Sequence, residues 1–320
     1  MADRRAGAGG TRSRVLLAFA AVYVVWGSTY LAIRFAIDTI PPFLMAGTRF
    51  LIAGAILFAW GRQRGAARPS RVQWRTTAIV GALLLVGGNG GVVWAEQRVP
   101  SGVAALLVAV VPLWMVLIEW LRPGGRRPRP AVMGGVAIGL AGMVVLVGPR
   151  AIIGHGNVDA LGALVLIAAA LSWATGSLYS RHAPMPSDPL VATGMEMLAG
   201  GALLILAGIA AGEPSRLHLD SVSLRSLLAL LYLITFGAIV GFTAYTYMLK
   251  MSTPAKVSTY AYVNPVVAVL LGWMFAAEPV TPRMLVASAI IVAAVALITL
   301  GQSSPRQTDA RAADPESRAA

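Results

Sequence analysis

The 320-residue chain has no cysteine and only three histidines, and charged residues make up just 12% of it. Without cysteine, neither a disulfide framework nor a thiolate metal site can form. His155, His182 and His218 fall in loops without metal-ligand spacing, and no nucleophile has a base nearby in sequence. No P-loop is present, which argues against direct ATP coupling. Neither a cofactor nor a metal is expected. The scarcity of charge excludes an ordinary soluble domain, where about a quarter of residues are charged.

What the chain does have is apolar length. Hydrophobic residues account for 57% of it, and mean hydropathy is +0.73. Apolar runs fall at roughly 15–37, 42–60, 76–96, 101–121, 131–149, 160–180, 189–211, 227–249, 255–276 and 283–301. They are too long and too uniform for membrane strands, which need about 10 residues and alternate in polarity. Ten transmembrane helices are therefore expected. The basic N-terminus followed by an apolar run resembles a secretory signal. The run continues to about Ile37, however, too long for a signal core, and it reads as a first helix.

The net charge of +13 could suggest nucleic acid, but the arginines sit in short loops between apolar runs. That pattern orients a membrane protein. With the N-terminus inside, cytoplasmic segments carry nineteen of the 26 basic residues and the opposite side five, while Arg34 and Arg49 lie within spans. Both termini are thus placed in the cytoplasm, with the chain crossing the inner (plasma) membrane many times.

The chain repeats itself. Trp26, Arg34, Pro42, Gly47, Gly54 and Gly61 return 147 positions on as Trp173, Arg181, Pro189, Gly194, Gly201 and Gly208. Beyond a six-residue insertion, Gly88, Pro112, Trp120 and Ala141 return as Gly241, Pro265, Trp273 and Ala294. The expected plan is a tail at 1–14, a first repeat at 15–149, a connecting loop at 150–159, a second repeat at 160–301 and a disordered tail at 302–320. Five spans per copy is odd, so the second copy must enter the membrane from the opposite side. An all-α membrane protein of two inverted five-helix repeats follows. Antiparallel copies around one cavity can exchange inward- and outward-open shapes.

Several motifs in both copies carry a resemblance. Trp26-Gly27-Ser28-Thr29-Tyr30, Pro41-Pro42, Arg49-Phe50 and Pro100-Ser101-Gly102-Val103-Ala104-Ala105 mark the first copy. Trp173-Ala174-Thr175, Asn264-Pro265-Val266-Val267 and Ala277-Glu278-Pro279 mark the second. In this order the motifs resemble the EamA domain of the drug/metabolite transporter superfamily, over roughly residues 15–302. Asn89-Gly90-Gly91 and Gly241-Phe242-Thr243 are similar to its YedA-type inner-membrane exporters. The resemblance implies ten helices, cytoplasmic termini and efflux of small metabolites. One departure is that the Gly-Glu usually following the fourth helix survives as Ala277-Glu278, while the first copy has Gly124-Gly125.

Candidate cavity residues follow from polarity at depth. Arg49 and Glu196 occupy equivalent positions within apolar runs, where a charge costs about 3 kcal/mol or more on insertion scales. Arg49 could anchor an anionic group and Glu196 could carry a proton, or the two could form a structural pair. Trp26, Ser28, Thr29, Trp173 and Thr175 put indoles and hydroxyls mid-helix, although such hydroxyls commonly bond their own helix. Asn89 lies in a glycine-rich stretch where Gly87 and Gly91 suggest close packing. Tyr245, Tyr260 and Asn264 bring polar tips, the last two sharing a helix face. Pro112 and Pro265 are candidate hinges, or static kinks. Arg34 is read as snorkelling to the interface, and Glu96 and Glu119 as pairing with Arg98 and Arg122. Ala131, Gly135 and Gly139 form a helix-contact stripe that a homodimer could use.

The expected partners are therefore a small-molecule solute and the lipid bilayer, with no nucleic acid. The expected function is a secondary transporter exporting small amphipathic metabolites, drugs or amino-acid-like solutes by alternating access, and not an enzyme. A non-transporting scaffold or sensor, and a membrane-embedded enzyme on lipid-linked substrates, are the alternatives. The first would pack its polar residues solidly; the second would cluster acids or histidines at a membrane face.

Overall fold

The computed structural model describes residues 3–125, 127–147, 158–251 and 260–303, and all regular structure among them is helical. In chain order the main helices are α1 (Asp3–Ala36), α2 (Pro42–Gln63), α3 (Arg71–Ala95), α4 (Ser101–Leu121), α5 (Pro130–Val147), α6 (Ala160–Ser180) and α7 (Pro189–Ala210). They continue as α8 (Leu224–Tyr232, running on through Gly241–Met251), α9 (Tyr260–Ala276) and α10 (Pro282–Ser303). Seven of the described helices are long and apolar enough to cross a membrane; α5, α9 and α10 carry shorter apolar stretches. A helix satisfies its backbone within itself, which is why apolar runs without alternation take this form in lipid. Large apolar side chains such as Leu17, Val144, Leu206 and Trp273 stand exposed around the bundle, as lipid contact requires. The expected loop at 150–159, apart from its last two residues, and the tail beyond Ser303 lie outside the described residues.

Local chemistry sets the helix starts. Ser70 and Gln73 form a capping box at α3, while Asp159, Asp188 and Ser223 cap α6, α7 and α8 through their side chains. Helices α2 and α4 differ: Pro41 and Pro100 precede them, and neither can supply a side-chain cap. Their first amides must find acceptors elsewhere.

The repeated glycines face one another. Gly47, Gly54 and Gly61 of α2 lie against Gly201, Gly194 and Val191 of α7. A methyl added at Gly54 would sit 2.9 Å from the Gly194 carbonyl, so the two backbones touch. Helices α5 and α10 pair likewise, with Gly135 against Ile298 and Gly142 against Ile291. The Gly135–Gly139 stripe is thus consumed inside the chain, which removes it as a homodimer surface. Gly87 and Gly91 pack on Ser172 and Ala169 of α6, as small residues at that spacing suggest.

Helix α1 packs on α8 and α9, while α6 packs on α3 and α4. Within α3 and α8, residues Ala82–Gly90 and Leu233–Val240 widen into π-helical turns. At the first proline of the repeated pair, α4 is interrupted: Ser101–Val108 gives way to Val111–Leu121, with Pro112 opening the second segment. Helix α9 runs through Pro265 without a break.

Contacts between loops sort the helix ends. Thr39 accepts from the Ser223 amide, Phe43 and Leu44 donate to Glu213, Ser101 and Gly102 donate to Glu278, and Arg283 donates to the Val145 carbonyl. All of these lie at one end of the bundle. At the other end, Gln73 reaches the Met185 carbonyl and Gly61 meets Asp188.

Candidate solute-binding site

Where α1, α2, α8 and α9 meet, the Trp26 indole donates to the Gly237 carbonyl at 3.3 Å. That carbonyl is available because a π-turn loosens the helix's own hydrogen bonding. The Trp26 ring packs against Phe242, Tyr245 and Tyr260, with centroids 5.4, 5.0 and 5.3 Å away. With its amide oriented so that both bonds form, Asn264 donates to the Tyr260 and Tyr23 carbonyls at 3.3 Å. Ser28 shares a 2.6 Å hydrogen bond with the Tyr232 hydroxyl and also donates to the Val25 carbonyl. Thr29 donates to Trp26 of its own helix, the commonplace fate of a membrane hydroxyl.

Arg49 enters this cluster from α2. It is only 3% exposed, and its guanidinium lies 4.8 Å from the Phe50 ring centre, beside Gly237 and Thr29. Among the described residues, neither Nε nor Nη1 has a hydrogen-bond partner. Two buried, charged donors without acceptors are expensive. A carboxylate or phosphate would satisfy both in the forked geometry that arginine favours.

The other candidates lie on the α3–α6–α7 side. Trp173 packs on Gly88, and Asn89 buries an oxygen that has no hydrogen-bond partner among the described residues. Thr175 bonds the Leu171 carbonyl of its own helix. Glu196 is half-buried, and among the described residues no ion pair joins it to Arg49. The structural-pair reading of Arg49 and Glu196 therefore has no direct contact behind it. Trp26 lies against Gly241 of the second copy, and Trp173 against Gly88 of the first. The same contact is thus made twice, crosswise between copies.

The expected end-of-span ion pairs divide. Glu119 meets Arg122 at 2.6 Å, and Arg34 approaches Asp38 at 3.9 Å. Glu96 does not pair with Arg98, which instead lies over the Trp94 ring. The acid turns inward, 1% exposed, with neither oxygen hydrogen-bonded among the described residues.

A crevice of about 650 Å³ runs between α1 and α8, lined by Leu31, Phe35, Leu228 and Tyr232. Arg225 stands 3.5 Å above the Phe35 ring, and the Ser28–Tyr232 bond lies on the crevice wall. Tyr232 and Phe242 escape sequence reasoning, because an aromatic in an apolar helix reads the same whether it faces lipid or the interior. Glu213 escapes for a different reason: its partners on α2 are about 170 residues away.

Comparison with known proteins gives one answer. The profile of the EamA-like transporter family matches the chain twice, over residues 13–148 and 160–300. The chain is 41% identical to the "uncharacterized inner membrane transporter YedA" of Escherichia coli K12 over 284 residues, covering 88% of this chain and 89% of that one. It is 25% identical to a "probable terminal-alkyne amino-acid exporter" of Streptantibioticus cattleyicolor, covering 93% and 99%. A solved crystal structure of a protein 28% identical covers 90% of this chain and 98% of that one, with a TM-score of 0.62. An all-helical bundle faced with apolar side chains, two profile matches and a relative aligned over most of both chains together show that the chain belongs to the EamA-like transporter family.

Proposed function

We propose that this protein is a secondary transporter exporting small amphipathic solutes that carry an anionic group, amino-acid-like metabolites among them. It works by alternating access between two inverted five-helix repeats, ten spans in all, with both termini cytoplasmic. The observation that carries this reading is Arg49: a buried guanidinium whose Nε and Nη1 find no partner among the described residues, facing aromatic and hydroxyl groups where the two copies meet. A scaffold would have no use for such a group. The Streptantibioticus cattleyicolor relative is described as a probable exporter of a terminal-alkyne amino acid.

Support for the inverted arrangement comes from contacts. Residues after α1 contact the loop after α7 and the start of α8, and Val99 after α3 lies against Gly162 at the start of α6, contacts that favour opposite senses for α1 and α6. The crosswise tryptophan–glycine contacts, and the equally crosswise glycine contacts of Gly47 with Gly201 and Gly54 with Gly194, fit a two-fold relation between copies. Trp173, Thr175, Asn89 and Glu196 would then line the counterpart half of the path, with Pro112 and Pro265 as hinges.

The test compares metabolites retained by cells lacking the protein with those of overexpressing cells, then measures flux of the identified solute in proteoliposomes. Arg49→Ala should slow flux of the anionic solute about tenfold or more, as expected for loss of a charge-assisted pair. Arg49→Lys should retain part of it. Normal flux through well-expressed Arg49→Ala protein would overturn the anchor.

A further inference from the structure

Helices α2 and α4 start without local caps, and the second copy supplies what they lack. Glu213 accepts from the Phe43 and Leu44 amides at 3.1 and 2.8 Å. Glu278 accepts from the Ser101 and Gly102 amides at 2.8 and 3.1 Å. Each carboxylate thus clamps the first copy to the second at the same end of the bundle. The equivalent positions of the first copy are Ala66 and Gly125, so no matching acids hold the other end.

Beside the second clamp lies Glu96, fully buried and with no hydrogen-bond donor to either oxygen among the described residues. Among the described residues, the titratable and charged groups that act on it are Glu278 from the α9–α10 turn, and Arg34 and Tyr30 from α1. A bare carboxylate in such a place is both desolvated and repelled by the clamp carboxylate. Arg34 approaches Asp38 at 3.9 Å, and no ion pair joins it to Glu96 among the described residues.

We propose that Glu96 is the proton-binding group of this protein, and that its proton holds the Glu278 clamp, and with it the α4 end of the bundle, shut. When the end opens, water reaches Glu96, the proton passes to solvent, and the carboxylate formed opposes reclosure until it is reprotonated. The inference rests on the alternating-access reading and gives it a coupling ion. It assigns the proton to Glu96 and not to Glu196, which the sequence offers either as a proton carrier or as half of a structural pair with Arg49.

Because the chain has no cysteine, a single introduced thiol reports opening cleanly. Ala104 sits on the first turn of α4 and is fully buried. Purified Ala104→Cys protein in nanodiscs is alkylated by a water-soluble maleimide from about pH 5 to about pH 9. Each rate is divided by that of exposed Ser187→Cys at the same pH, which removes the titration of the thiol itself. One proton linked to closure makes the relative rate rise with pH, approaching tenfold per unit at most. Glu96→Gln should give a low rate that no longer depends on pH, and Glu278→Gln should raise the rate about tenfold at the acid end.

A wild-type pH slope retained in Glu96→Gln would overturn the proposal, as would protection that follows sodium at constant pH. Should Glu96→Gln fail to fold, Glu96→Asp decides: a moved midpoint supports the assignment, an unmoved one refutes it. The readout needs no solute. A flat profile would therefore leave the transport reading intact, and absent flux would leave the proton site intact.

Discussion

Ala277 has φ at +51°, the left-handed backbone that a side chain resists. Its counterpart Gly124, with φ at +75°, makes the same turn after α4 without that penalty. Both follow the fourth helix of a copy, so the turn belongs to the repeated design and only the residue differs. The strained residue immediately precedes Glu278 and so helps to aim that carboxylate at α4. Ala277→Gly should stabilise the protein by about 1 kcal/mol, read as a small rise in thermal midpoint in detergent. A fall would mean that the alanine methyl makes a contact worth more than the strain. The same scale shows how far side chains were legible. Trp26, Tyr245, Tyr260 and Asn264 stand out by polarity in apolar helices, and they converge. Glu96 departs from the expected pair with Arg98, because nearness in sequence says nothing about which way a turn points each side chain.

Between elements, the tightest seam is α2 against α7. Gly54 and Gly194 admit backbone to backbone, with a built methyl meeting carbonyl and amide atoms that cannot swing aside. Gly54→Val should therefore cost about 1–3 kcal/mol or block assembly, seen as lost monodispersity in size-exclusion chromatography. Gly134 has open space around it, so Gly134→Ala should leave the same profile unchanged. The glycine repeat was visible in the sequence, but its pairing with itself was not, because periodicity does not name a partner. The missing caps at Pro41 and Pro100 are also a sequence signal. A helix start with no local acceptor calls for one from elsewhere, here about 170 positions away.

At the scale of the whole molecule, the helical class, the duplication and the family were all readable, because lipid leaves few choices and a tandem copy repeats its motifs. The clamps at one end were not, since they depend on contacts between copies, and no local signal marks the π-turns; the break in α4 does fall at Pro112, where the sequence allows a kink. The account depends on the second copy standing upside-down relative to the first. The loop after α2 and the loop after α7 are equivalent in sequence, so inversion must put them on opposite faces. Single cysteines at Gly65 and at Ser215, both exposed, report this when intact cells made permeable only at the outer membrane meet an impermeant maleimide. Ser215→Cys should label at once and Gly65→Cys only after the cells are lysed; both sites labelling together, or both staying protected, would contradict the inverted arrangement.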